Sequence, residues 1–151
     1  MDIEKRLREF KIILPEVESV GNYLLTRKVG NLVYISGQLP KVEGRIVFKG
    51  RVGRDTRLET GQKAARICVI NALAALKAEI GDLNRIRQIV HLRGFVASAI
   101  GFTDHHKIID AASSLLVDIF GDAGKHARAA VGVVDLPLGA PVEIEMIVEI
   151  R

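Results

Sequence analysis

A chain of 151 residues, 48% hydrophobic and 26% charged, has the make-up of one globular domain, able to bury roughly 70% of its unfolded surface. The single cysteine, Cys68, excludes an internal disulfide and a cysteine-rich metal site, and no apolar run approaches the roughly 18 residues that a bilayer demands. The formal charge of +4 is local, because Lys41, Arg45, Lys49, Arg51, Arg54 and Arg57 face only Glu43 and Asp55 within residues 41–57.

In chain order, Ile3, Leu7 and Phe10 recur at helical spacing and predict a short amphipathic helix over about residues 2–10. The charged opening Met1-Asp2-Ile3-Glu4-Lys5-Arg6 lacks the apolar core of a signal peptide, which predicts a cytoplasmic location. Two strands are expected from Tyr23 to Val29 and from Leu32 to Ser36, joined by a Gly30-Asn31 turn and stopped by Gly37 and Pro40. Arg45 to Lys49 alternates as a further short strand. The basic strip around it carries only Phe48 among its charges, so it reads as a solvated segment. With 5% aromatic residues and no tryptophan, the chain lacks a stacking platform, and nucleic acid is not an expected partner.

Leu58 to Ile80 changes to an Ala-rich helical pattern, with Asp55-Thr56 as expected caps and Gly81 at its end. Cys68 lies on its apolar stripe with Ala65, Ala72 and Leu76, where a buried thiol is expected. Ile86 to Ala97 reads as a strand, Asp104 to Phe120 as a second helix, and Ala127 to Val134 and Val142 to Ile150 as closing strands. The order predicts one α+β domain, residues 1–151, with two main helices on one face of a mixed sheet.

The last two strands carry the candidate site. Val142, Ile144, Met146, Val148 and Ile150 share one face of the final strand; Glu143, Glu145, Ile147 and Glu149 share the other. In the preceding strand Arg128, Ala130 and Gly132 face away from Ala127, Ala129, Val131 and Val133. The pattern leaves two accounts of Arg128: a cross-strand ion pair with neighbouring glutamates, the commoner arrangement, or an anchor for an anionic ligand. No phosphate loop, dinucleotide fingerprint or nucleophile elbow is present. Of His91, His105, His106 and His126, the adjacent pair points about 100° apart on a helix, so no metal site is expected.

The segments Tyr34-Ile35-Ser36-Gly37-Gln38-Leu39-Pro40, His126-Ala127-Arg128-Ala129-Ala130-Val131, Leu136-Pro137 and Val142-Glu143-Ile144-Glu145 resemble the RidA family, also called YjgF and, in older usage, endoribonuclease L-PSP. The likeness spans roughly residues 20–151 in order. It implies a chorismate-mutase-like subunit assembled as a homotrimer, sheets forming a central barrel and ligand sites in the clefts between subunits. It further implies a cofactor-free hydrolase that converts reactive enamines and imines, such as 2-aminoacrylate, to 2-keto acids and ammonia.

By that resemblance Arg128 matches the arginine that holds the substrate carboxylate, a role suited to a planar, permanently charged fork. Glu143 matches the water-positioning glutamate, and Ala130 the position whose main-chain carbonyl helps orient that water. Tyr23 and Gly37 match pocket-lining positions, and Ser36 joins them among the substrate-binding residues. Ser113 stands where many deaminases have asparagine, a departure. The N-terminal helix and the long 41–57 segment lie beyond the common core and suit a longer branch of the family. Two rival readings are a non-catalytic module binding a 2-keto acid-like anion and a ribonuclease. The second is disfavoured by the scarce aromatics and by the lack of a histidine pair with a credible nucleophile.

Overall fold

The computed structural model describes residues 1–19 and 21–151. Helix α1 spans Ile3–Glu9; the Asp2 side chain accepts from the Lys5 amide at 3.2 Å, and Ile3 and Leu7 are buried. Phe10 lies beyond the helix and is exposed, with the Arg6 guanidinium 5.5 Å from its ring centroid, so it does not continue the stripe. Arg6 also donates to the Asp118 carbonyl, and Glu4 pairs with Lys77 at 2.7 Å. These contacts pin α1 to both longer helices.

Strands β1 (Thr26–Val29) and β2 (Leu32–Gln38) form a hairpin whose Gly30-Asn31 turn places Gly30 at φ 58°. The chain then makes a two-stranded ribbon, β3 (Lys41–Val42) against β4 (Arg45–Ile46), before helix α2 (Leu58–Ile80). Strand β5 (Ile86–Ala97), helix α3 (His105–Phe120), strand β6 (Ala127–Val133) and strand β7 (Val142–Ile150) complete the order. The main sheet runs β1-β2-β7-β5-β6, with β5 and β6 parallel and the other neighbours antiparallel. Parallel neighbours need a crossover, and α3 supplies it.

Both long helices cover one face. Leu92, Val96, Ile144, Met146 and Val148 from the sheet meet Cys68, Ala72 and Leu76 of α2 and Ile109, Leu115 and Leu116 of α3, all at most 2% exposed. Each large side chain buried there contributes roughly 1.5–3 kcal/mol through the water it sheds. The Cys68 thiol lies in this core, 3.6 Å from the Val142 carbonyl, and its burial raises its pKa well above the ordinary value. The architecture is the α+β arrangement that the element order implies.

Four local expectations fail. The first strand begins at Thr26, not Tyr23, because residues 23–25 leave the ladder and are held by Ser36, whose amide and hydroxyl donate to the Leu25 and Leu24 carbonyls. Gly37 does not stop β2; the strand runs through an irregularity between Ile35 and Gln38 and pairs again with Ile144. The alternation at Arg45–Lys49 yields only Arg45–Ile46 as strand. Asp55-Thr56 do not cap α2: Arg57 holds the cap position without a side-chain bond, and Asp55 instead accepts from the Arg51 amide.

Candidate functional site

Sheet register decides where Arg128 points. On β5 the partners of Arg128, Ala130 and Gly132 are Leu92, Gly94 and Val96, and Leu92 and Val96 belong to the core beneath the helices. Arg128 therefore lies on the helix-covered side of the edge strand β6. Glu143 pairs with Phe95, whose partner on β6 is Val131, so alternation puts Glu143 on the opposite face. Nor is β7 beside β6, since β5 lies between them. A cross-strand pair between Arg128 and a glutamate is thereby excluded within one copy; the arginine–glutamate pairs that cross strands here are Arg93–Glu145 at 2.8 Å and Arg87–Glu149 at 3.5 Å, both between β5 and β7.

Arg128 takes its partners from α3. Its Nη1 donates to Asp110 Oδ1 at 2.8 Å and to Ser113 Oγ at 3.2 Å. Asp110 and Ser113 are three residues apart and so share one helix face. Ser113 Oγ is 2.9 Å from His126 Nε2, and His126 Nδ1 is 2.6 Å from the Gly124 carbonyl. Burial lowers the His126 pKa below 6.5, opposed by the bond to Gly124 and reinforced by Arg128 and His91. The Nε and Nη2 edge of Arg128 has no hydrogen-bond partner among the described residues and is not sealed from solvent. A fork with one edge held and the other open can take a carboxylate bidentately.

The second cluster lies at the other face. A Cβ added to Gly37 would come within 2.6 Å of Glu143 Oε1, so the absence of a side chain there is what seats this carboxylate against β2. Glu143 is half-buried, and its pKa is raised above 4.5 by that burial and by repulsion from Glu145. Ser36, next to Gly37, spends its hydroxyl on the Leu24 carbonyl at 2.6 Å, tying down the segment that carries the half-exposed Tyr23. The fold therefore brings Ser36, Gly37 and Glu143 together with Tyr23 on an adjoining segment. Arg128, Ala130 and Ser113 are collected elsewhere, and no single copy joins the two halves.

Two residues of the Arg128 cluster escaped the sequence reading, Asp110 and His126. Asp110 was detectable as the residue one helical turn before Ser113; His126 carries no local signal of its role. A further pair, Ser98 Oγ and His105 Nε2 at 2.9 Å, lies over Gly132. Two serine–histidine contacts thus exist, Ser98–His105 and Ser113–His126, each with a single imidazole. The basic strip is partly neutralised: Arg51 grips Asp135 through Nε and Nη2 at 3.1 and 3.2 Å. Among the described residues no three of His, Cys, Asp and Glu cluster to hold a metal, and no helix is long and apolar enough to cross a membrane.

This α+β chain, with its mixed sheet and helices packed on one side, has the chorismate-mutase-like fold. The model of the family described as "YjgF/chorismate_mutase-like, putative endoribonuclease" matches residues 4–150, and the chain belongs to that family. It is 36% identical to protein TCP17 of Trypanosoma cruzi over 99% of this chain and 94% of that protein. The crystal structure of Atu1372 from Agrobacterium tumefaciens, a protein of unknown function, is 47% identical, with a TM-score of 0.93 over 99% of this chain and 92% of its own. A structure from Shewanella oneidensis, called a "putative endoribonuclease", is 34% identical with a TM-score of 0.95, covering 99% of this chain and all of its own. With so much of the chain covered, α1 is part of the shared structure.

Proposed function

We propose that this protein is a cytoplasmic enamine and imine deaminase, hydrolysing 2-imino acids such as 2-aminoacrylate to 2-keto acids and ammonia. The observation that carries the proposal is the unbonded Nε–Nη2 edge of the partly buried Arg128, whose geometry suits a carboxylate taken bidentately. In this reading a neighbouring copy in a homotrimer supplies the other half, Glu143 with Gly37, Ser36 and Tyr23, across the free edge of β6. Such an assembly accounts for two half-sites on opposite faces of one sheet.

Arg128 anchors the carboxylate and sets the imine carbon beside a water held by Glu143 and the Ala130 carbonyl. Water adds to the carbon of the protonated imine while the carboxylate of Glu143 takes one of its protons, and a neutral carbinolamine forms. Glu143 gives that proton to the nitrogen; as the C–N bond breaks, the hydroxyl oxygen becomes the carbonyl, its proton passes back to Glu143, and ammonia and the keto acid leave. A raised pKa suits a group that must both accept and give back a proton near neutrality. Because imines hydrolyse readily in water, orientation supplies most of the acceleration.

A second reading is favoured by one specific arrangement. Asp110 and Ser113 brace Nη1 of Arg128 and leave its other edge unbonded, which suits a module that holds a small carboxylate with no water placed for attack. The test follows the decay of 2-aminoacrylate with wild type and Arg128→Ala. Acceleration by wild type and its loss in the variant is the expected result; no acceleration, or equal rates, overturns the deaminase. Calorimetric binding of a keto acid without imine turnover favours the binding module.

A further inference from the structure

The Arg128 cluster carries a carboxylate of its own. Asp110 projects from α3 with its side chain 57% exposed, while Arg128 beside it is 24% exposed. Its Oδ1 takes the guanidinium at 2.8 Å, and its Oδ2 has no hydrogen-bond partner among the described residues. The nearest charges thus sum to zero, and what faces an incoming molecule is a dipole: guanidinium edge on one side, carboxylate oxygen on the other.

A bare monoanion gains from Arg128 and loses to Asp110. A ligand held on the open edge by ordinary hydrogen bonds lies on the order of 6 Å from Asp110, where unit charges in a partly screened site still interact by more than thermal energy. The complement of this dipole is another dipole, a carboxylate with a cationic nitrogen on the adjoining carbon.

We propose that Asp110 is a specificity-determining residue, which makes the Arg128 site select α-iminium and α-ammonium carboxylates over 2-keto and 2-hydroxy acids of the same size. The inference rests on Arg128 as the carboxylate anchor of the proposed deaminase and adds the charge state of the substrate. The protonated imine, the form that water attacks most readily, is the form retained. The keto acid has lost the nitrogen and its positive charge, so Asp110 favours its departure.

The test is calorimetric titration with L-alanine and L-lactate, which share size and carboxylate and differ in ammonium against hydroxyl. Wild type is expected to bind alanine about tenfold more tightly than lactate. Asp110→Asn, isosteric and on an exposed helix face, should tighten lactate and bring the two within about twofold, while Asp110→Glu restores the preference. An unchanged ratio in Asp110→Asn, with both ligands altered alike, overturns the proposal and leaves Asp110 a mere brace for Arg128. So does a wild type that binds neither probe, or binds lactate as well as alanine. Imine turnover is read separately: its absence alongside an Asp110-dependent ratio sinks the deaminase and not this inference.

Discussion

Ser113 Oγ and His126 Nε2 stand 2.9 Å apart, and the surrounding acceptors fix which of them holds the proton. The Gly124 carbonyl can only accept, so His126 Nδ1 carries its hydrogen; Nε2 of the neutral ring must then accept from Ser113. Ser113 in turn receives Nη1–H of Arg128. Nitrogen-15 spectra are expected to show the Nδ1–H tautomer, titrating below 6.5 because burial disfavours the imidazolium. Unfolded, this histidine protonates near 6.5 while the folded ring resists. Its contribution to stability is therefore complete above that pH and declines as pH falls through the folded value. Melting temperature should drop on acidification through this range and drop less in His126→Gln. The slope that remains includes His105, which is shifted in the same direction.

Glu143 titrates in the opposite sense to an ordinary paired acid. Its folded pKa lies above 4.5, burial being the larger cause and Glu145 the smaller. The folded chain thus binds the extra proton, and the stability this brings is present below 4.5 and lost as pH rises through the folded value. If Glu143 must be ionised for turnover, activity rises across that interval. Glu145→Gln should move the acid limb of the rate profile to lower pH without carrying it to the ordinary carboxylate value, since burial persists. The exposed Arg93–Glu145 pair lost with it is worth little.

Gly37→Ala tests the contact that seats Glu143. The added Cβ would stand 2.6 Å from Oε1, the far end of a flexible side chain, so the carboxylate swings aside rather than the backbone. Stability should fall by less than about 1 kcal/mol while turnover falls at least about tenfold. A melting temperature near wild type with unchanged kcat argues that the seat of Glu143 is immaterial.

Leu115→Ala separates fold from site. Leu115, on α3, is fully buried and points to the opposite side of that helix from Asp110 and Ser113, five and two residues away. Truncation should cost about 2–5 kcal/mol in denaturant unfolding. Ligand affinity at Arg128, measured well below the melting point, should stay within about twofold of wild type.

The elements were legible where periodicity was strong. The Ala-rich 3.6-residue pattern marked α2 from Leu58 to Ile80 with Gly81 behind it, and strict alternation marked β7. Strand neighbours were not legible, because nothing in Val142–Ile150 records that β2 and β5, rather than β6, flank it. Alternation announces two faces of β6 without naming which meets the helices. Ala127 and Val131 look like core residues and lie exposed, while the charged Arg128 turns toward α3. The partner of Arg128 follows from that placement: it is an aspartate one helical turn from Ser113, not a glutamate across the sheet. Residues 23–25 carry a strand-like sequence, but the Ser36 hydroxyl holds one of their carbonyls in place of a ladder bond.

The middle of the sheet is the last part of it to be made. β7 follows every other strand in sequence, yet its neighbours are β2 and β5. On the ribosome the β1–β2 hairpin and the β5–α3–β6 crossover emerge as two half-sheets, each with an open apolar edge awaiting the same nine residues. Until Val142–Ile150 clears the exit tunnel neither half can close, and both are exposed to mispairing with chains alongside.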